Sequence, residues 1–119
     1  MLGLGALGLK AFMAPSGMED FGHCAAADLE AGLRVLGEFG PRPLMVHAEV
    51  PHEVSGGGDP TEYATYLRSR PRTFEKAAVR TLLDVCRRTP GARVHVAHLS
   101  DSELLPELKE AQEGPCGAL

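Results

Sequence analysis

The chain has few aromatic residues and no tryptophan: four Phe and two Tyr stand among its 119 residues. Its core must therefore consist mostly of Leu, Val and Ala. The first nine residues are apolar, but Lys10 ends this run before it is long enough to cross a bilayer. No basic segment precedes the run, as it would in a signal peptide. We therefore expect no membrane span, no targeting segment and a cytoplasmic protein.

Positive charge and cysteine are also scarce. The net charge is -4 with acids and bases mixed along the chain, and no basic stripe indicates binding to nucleic acid. The three cysteines, Cys24, Cys86 and Cys116, are odd in number and share no C-x-x-C spacing. That pattern favours reduced thiols in an intracellular protein over a disulfide framework.

Three apolar segments of strand length alternate with segments of helical periodicity. The predicted strands cover 5–13, 44–48 and 93–99, and the predicted helices cover 27–39, 61–69, 73–88 and 101–113. Strands separated by helices pair in parallel. Two architectures fit this order, a small open α/β sheet and part of a (β/α)8 barrel, which normally takes about 250 residues.

Each predicted strand carries a candidate metal ligand near its C-terminal end, namely Lys10, His47 or His98. The C-terminal ends of parallel strands meet at one edge, where catalytic groups of barrels lie, so these residues favour the barrel. His95 and His98 are three residues apart and face opposite sides of an ideal strand. We choose His98 because it is nearer the strand end. The alternative is that Lys10 is a solvent-exposed amine and both histidines are structural.

A nucleotide-binding function finds less support. Residues 3–8 match the letters G-x-G-x-x-G, but they precede a predicted strand and not a helix. We therefore expect these glycines to serve a turn or close packing.

Four segments together resemble the allantoinases, which belong to the cyclic amidohydrolase family with dihydroorotase and dihydropyrimidinase. They are GLKAFMAPSG at 8–17, LMVHAE at 44–49, YLRSRPR at 66–72 and HVAHLS at 95–100. The resemblance covers nearly the whole chain, to about Gln112. It implies a (β/α)8 barrel that hydrolyses the hydantoin ring of allantoin to allantoate, usually as a homotetramer.

The resemblance also implies a binuclear zinc centre. Lys10 matches the N6-carboxylysine that bridges the two metals, and His47 and His98 match the two histidines that bind the second metal. The His-x-His pair for the first metal and the aspartate that acts as general base have no counterpart here, so we assign no catalytic residue.

We therefore expect residues 1–119 to form a partial amidohydrolase domain of about three strands. The isolated chain is then incomplete and inactive, and we expect residues 114–119 to form a disordered tail. Two other functions stay open: a non-catalytic dihydropyrimidinase-related assembly protein, and a hydrolase of another cyclic amide such as a dihydropyrimidine or a different hydantoin.

Overall fold

The structure, a computed structural model, describes residues 1–52, 58–59 and 61–114. Three parallel strands form one sheet and lie in it in chain order. Four helices alternate with the strands along the chain, in the order that the sequence predicts. The strands are β1 (Leu9–Phe12), β2 (Leu44–His47) and β3 (Val94–Val96), and the helices are α1 (Ala26–Glu38), α2 (Tyr63–Ser69), α3 (Arg72–Arg88) and α4 (Leu105–Glu113). Short 3-10 turns lie at Leu2–Leu4 and Ser102–Leu104.

One face of the sheet is covered by helices and forms the core. Leu44 pairs with Leu9 on one side and with Val94 on the other, and alternate residues of the strands point towards the helices. Helix α3 packs against α1 and supplies much of the buried surface. Its buried residues recur at three- and four-residue steps: Phe74, Ala78, Val79, Leu82, Leu83, Val85 and Cys86.

The opposite face of the sheet is open. Lys10, Met45 and His95 lie side by side across the three strands, and all three are exposed. Because helices surround the outside of a (β/α)8 barrel, the face away from them is the one that lines the barrel interior. The layering is therefore that of part of such a barrel.

Two helix boundaries differ slightly from the predicted ones. The helix predicted over 27–39 covers Ala26–Glu38, so Phe39 lies beyond its end and is 45% exposed. The helix predicted to begin at Thr73 begins at Arg72 after Pro71, and the Thr73 hydroxyl contacts Nε2 of His52, at 3.2 Å. Proline suits a helix start because it lacks the N–H that would be unsatisfied there.

The expectation for the cysteines holds only in part. Cys24 is a free thiol, whereas Cys86 is disulfide-bonded. Cys116 and the rest of 115–119 lie outside the described residues, so the disordered tail stays a prediction. None of the described helices combines the length and apolar character needed to cross a membrane.

Candidate metal centre

Two histidines meet at the C-terminal edge of the sheet. His47 is the last residue of β2, and His98 follows the end of β3 by two residues. His47 Nδ1 lies 2.8 Å from His98 Nε2, and the ring centroids are 4.7 Å apart with 60° between the ring planes. The structure therefore brings together the two predicted histidine ligands.

His98 reaches this position because the chain leaves strand geometry after Val96. Its φ of 46° is the one positive value among the non-glycine residues that the structure describes. Histidine adopts this left-handed region more readily than most residues, though still uncommonly. The Ser100 hydroxyl donates to the His98 carbonyl oxygen at 3.0 Å. His95, within the strand, stays on the open face opposite Met45, so it is His98 that contacts His47.

Lys10 lies on the open face of the sheet, in β1, two residues before Phe12. Phe12 pairs with His47 across β1 and β2, and its ring centroid is 5.7 Å from that of His47. Lys10 Nζ lies over the Phe12 ring, 4.9 Å from its centroid. Partial burial lowers the pKa of the Lys10 amine. Lys10 Nζ and the His47 ring therefore both lie near the Phe12 ring.

Glu49 and Arg70 orient His47, a role that the sequence did not reveal. His47 Nε2 lies 3.0 Å from Glu49 Oε2, and Arg70 Nη1 donates to Glu49 Oε1 at 3.0 Å. An ionised carboxylate only accepts hydrogen bonds, so Nε2 of His47 carries the proton. The lone pair of Nδ1 then faces His98. The two-residue step from His47 to Glu49 was the available signal, since it places both on one side of an extended chain.

His47 and His98 offer two imidazole nitrogens, which is a pair of ligands and not a complete ligand set for a metal ion. Within the described ranges, no group of three or more His, Cys, Asp and Glu side chains could hold a metal ion. Two nitrogen ligands at about 2.05 Å from a tetrahedral zinc lie about 3.3 Å apart. The two rings, with nitrogens 2.8 Å apart, would therefore need to separate by about half an ångström. Neutral imidazoles are ligands that zinc favours.

His47, Glu49 and Arg70 line two neighbouring cavities. One has a volume of about 420 Å³ and includes Tyr66, Pro71, His98 and Ser100 in its lining. The other has a volume of about 400 Å³ and is lined by Phe12, Ala14, Pro15 and Ser16, among others. Both volumes are in the range of small-molecule sites. The four sequence segments that carry the resemblance therefore converge at this edge.

Comparison with known proteins agrees with this picture. The chain is 43% identical over 123 residues to the allantoinase of Arabidopsis thaliana and 40% identical over 126 residues to the probable allantoinase of Oryza sativa subsp. japonica. These matches cover 94% and 95% of the chain, but 24% and 25% of those proteins. The L-hydantoinase (dihydropyrimidinase) from Arthrobacter aurescens superposes with a TM-score of 0.83 over 98% of the chain and 27% of its own, at 22% identity. No family model matches the chain.

The fold is thus that of part of a (β/α)8 barrel, and it is shared with the L-hydantoinase. By sequence, the chain is similar to part of the allantoinases, and the resemblance inferred from the four segments is confirmed. The chain spans about a quarter of the length of the curated relatives it matches.

Proposed function

We propose that Lys10, His47 and His98 belong to a binuclear zinc centre of an allantoinase, which opens the hydantoin ring of allantoin to give allantoate. The observation that carries the proposal is the contact between His47 and His98 at adjacent strand ends, in a chain 43% identical to a protein named allantoinase. When bound, the metals supply a hydroxide nucleophile at neutral pH and polarise the ring carbonyl.

The geometry of the two histidines supports the roles proposed for them, and the role of Lys10 rests on the resemblance. His47 offers Nδ1 and His98 offers Nε2 as ligand atoms, with His47 held by Glu49. In the complete protein Lys10 would supply a carbamate: its neutral amine would form a bond to the carbon of carbon dioxide and lose a proton to water, which would leave an anionic group with two oxygens as metal ligands.

These 119 residues contain neither a His-x-His pair before Lys10 nor an assigned general base. We therefore expect that the chain by itself does not hydrolyse allantoin and that Lys10 stays uncarboxylated, because the carbamate needs both metals to hold it. Native intact-mass measurement with zinc and bicarbonate tests this. A carbon dioxide adduct, or zinc-dependent formation of allantoate by the chain alone, contradicts it.

The substrate is tested by transplanting the chain into a whole enzyme. The aligned segment of the Arabidopsis thaliana allantoinase is replaced by this chain, and zinc-dependent formation of allantoate is measured. We expect activity in the chimera, its loss below detection in K10A, H47A and H98A, and its retention in E38A, a control at an exposed residue of helix α1.

Two outcomes of this experiment favour the alternatives. A chimera that folds, binds zinc and opens dihydropyrimidine or other hydantoin rings but not allantoin identifies another cyclic amide hydrolase. A chimera that folds and assembles without binding metal identifies a non-catalytic assembly protein.

We further propose that the complete protein acts in the cytoplasm as a homotetramer, in line with the resemblance. Subcellular fractionation tests the compartment, and recovery with mitochondria contradicts it. Light scattering coupled to gel filtration tests the oligomer, and a monomeric mass contradicts it.

A further inference from the structure

The turn that carries His98 is tied to helix α3 by one carboxylate. The Ser100 N–H donates to Glu75 Oε1 at 2.9 Å, and the Asp101 N–H donates to Glu75 Oε2 at 2.6 Å. Both oxygens of one side chain are therefore used on two consecutive backbone amides. Glu75 lies in the first turn of α3, where the helix dipole favours a negative charge.

The far end of the same turn is anchored as well. The Asp101 side chain is buried, accepts the N–H of Glu103 at 3.1 Å, and lies 3.6 Å from Nζ of Lys76. Lys76 follows Glu75 on α3. The chain after His98 is thus held against the start of α3 by contacts of Ser100 and Asp101 with Glu75 and Lys76.

The position of His98 depends on this path. Its backbone has a φ of 46°, and its carbonyl oxygen accepts the Ser100 hydroxyl. A conformation of this kind persists when the surroundings hold it. Charge-assisted hydrogen bonds, in which two amide N–H groups donate to one carboxylate, are among the stronger bonds that can hold such a conformation.

We propose that Glu75 is a positioning residue that holds His98 against His47 and thereby sets the geometry of the metal ligands. Its role on the ring contact stands on the structure alone, and its role in metal affinity rests on the proposed function. Residues that orient metal ligands typically change metal affinity 10- to 100-fold when mutated.

The test compares Glu75→Ala with Glu107→Ala in the 119-residue chain. Glu107 is a matched control because it also joins α3 to the region after β3, by accepting from the Arg80 guanidinium at 2.7 Å, and its side-chain hydrogen bonds within the described part of the chain go to Arg80 and not to the His98 turn. Three quantities are measured: the dissociation constant for zinc alone, hydrogen exchange of the Ser100 and Asp101 amides, and the nuclear Overhauser contact between the two imidazole rings.

We expect Glu75→Ala to weaken zinc binding by about 10- to 100-fold, to remove the protection of both amides and to abolish the ring contact. Glu107→Ala should leave all three unchanged. A folded Glu75→Ala chain, checked by circular dichroism, that keeps the zinc affinity and the ring contact of the original overturns the proposal.

The isosteric variant Glu75→Gln covers the case in which Glu75→Ala does not fold. Its single carbonyl oxygen can accept from one of the two amides, so we expect the other amide to lose its protection and zinc binding to weaken. Wild-type behaviour of both amides and of the ring contact in this variant overturns the proposal. If the original chain does not bind zinc, amide exchange and the ring contact decide the positioning role, and the metal centre is tested by zinc binding of the chimera.

Discussion

His47 Nδ1 lies 2.8 Å from His98 Nε2, although 51 residues separate the two in sequence. The parallel register explains the approach: Val46 pairs with Val96, and the Ala97 N–H donates to the Val46 carbonyl oxygen at 2.9 Å. His47 and the residues after Val96 therefore emerge at the same level of the sheet. Two imidazoles placed in this way should act as one unit towards a metal.

We therefore expect the effects of His47→Ala and His98→Ala on zinc binding to be non-additive. Either substitution leaves a single imidazole, so each should abolish most of the affinity, and the double variant should be no weaker than the single ones. Isothermal titration with zinc measures this. His95→Ala is the control, since His95 is exposed on the open face. A loss in His95→Ala equal to that in His98→Ala contradicts the assignment.

Glu49 should determine which nitrogen of His47 carries the proton. In the unaltered chain we expect the proton on Nε2, because Glu49 Oε2 lies 3.0 Å away and can only accept. Glu49→Ala removes that acceptor, so the imidazole should become a mixture of both tautomers. Nitrogen–proton correlation spectra of the imidazole ring distinguish the two forms.

The matched control for this experiment is Glu38→Ala, which truncates an exposed glutamate at the end of α1. We expect no change in the His47 spectrum of that variant. A proton found on Nδ1 in the unaltered chain would contradict the orientation assigned to His47.

The order of the strands and helices, and the approach of His47 to His98, could be predicted from the sequence because both depend on local patterns. Apolar periodicity gave the strand and helix order, and parallel strands necessarily bring residues such as His47 and His98 to one edge. The exposure of Phe39 could not be predicted in the same way, because Phe39 continues the apolar periodicity of α1 although the helix ends at Glu38.

The supporting contacts of the site lie beyond local patterns. Glu75 meets the Ser100 amide across 25 residues, and Arg70 meets Glu49 across 21 residues. Neither pair has a spacing that distinguishes it from many other charged and polar pairs. The positive φ of His98 is equally hidden, since it results from how the turn is held.

Gly8 should be required for the pairing of β1 with β2. A Cβ atom at this position would collide with the backbone carbonyl oxygen of Pro43, which accepts the N–H of Leu9 at 3.1 Å. We expect Gly8→Ala to lower the free energy of unfolding by about 1–3 kcal/mol, as overpacking typically does. Urea denaturation measures the change.

Gly32→Ala is the opposite case and serves as the control. Gly32 lies within α1, and a Cβ atom there meets nothing within 4 Å. Alanine should therefore raise the free energy of unfolding by about 0.5–1 kcal/mol, because it restricts the unfolded chain. Equal effects of the two substitutions would show that the contact with Pro43 does not matter.

The ion pair between Arg80 and Glu107 should make a small, pH-dependent contribution to stability. The hydrogen bond from Arg80 holds the pKa of Glu107 below its ordinary value. A carboxylate with a lowered folded-state pKa stabilises the fold above the unfolded-state pKa of about 4.3, and this stabilisation is lost as the pH falls through the folded-state pKa. The effect is small because both side chains are exposed to solvent.

We expect Glu107→Gln to be less stable than the original at pH 7 and equally stable below the lowered pKa, as measured by urea denaturation over a pH series. Glu110→Gln, on the exposed side of the same helix, is the control that should follow the original at pH 7. A Glu107→Gln difference that persists or grows in acid would show that the charge of Glu107 is not what stabilises the contact.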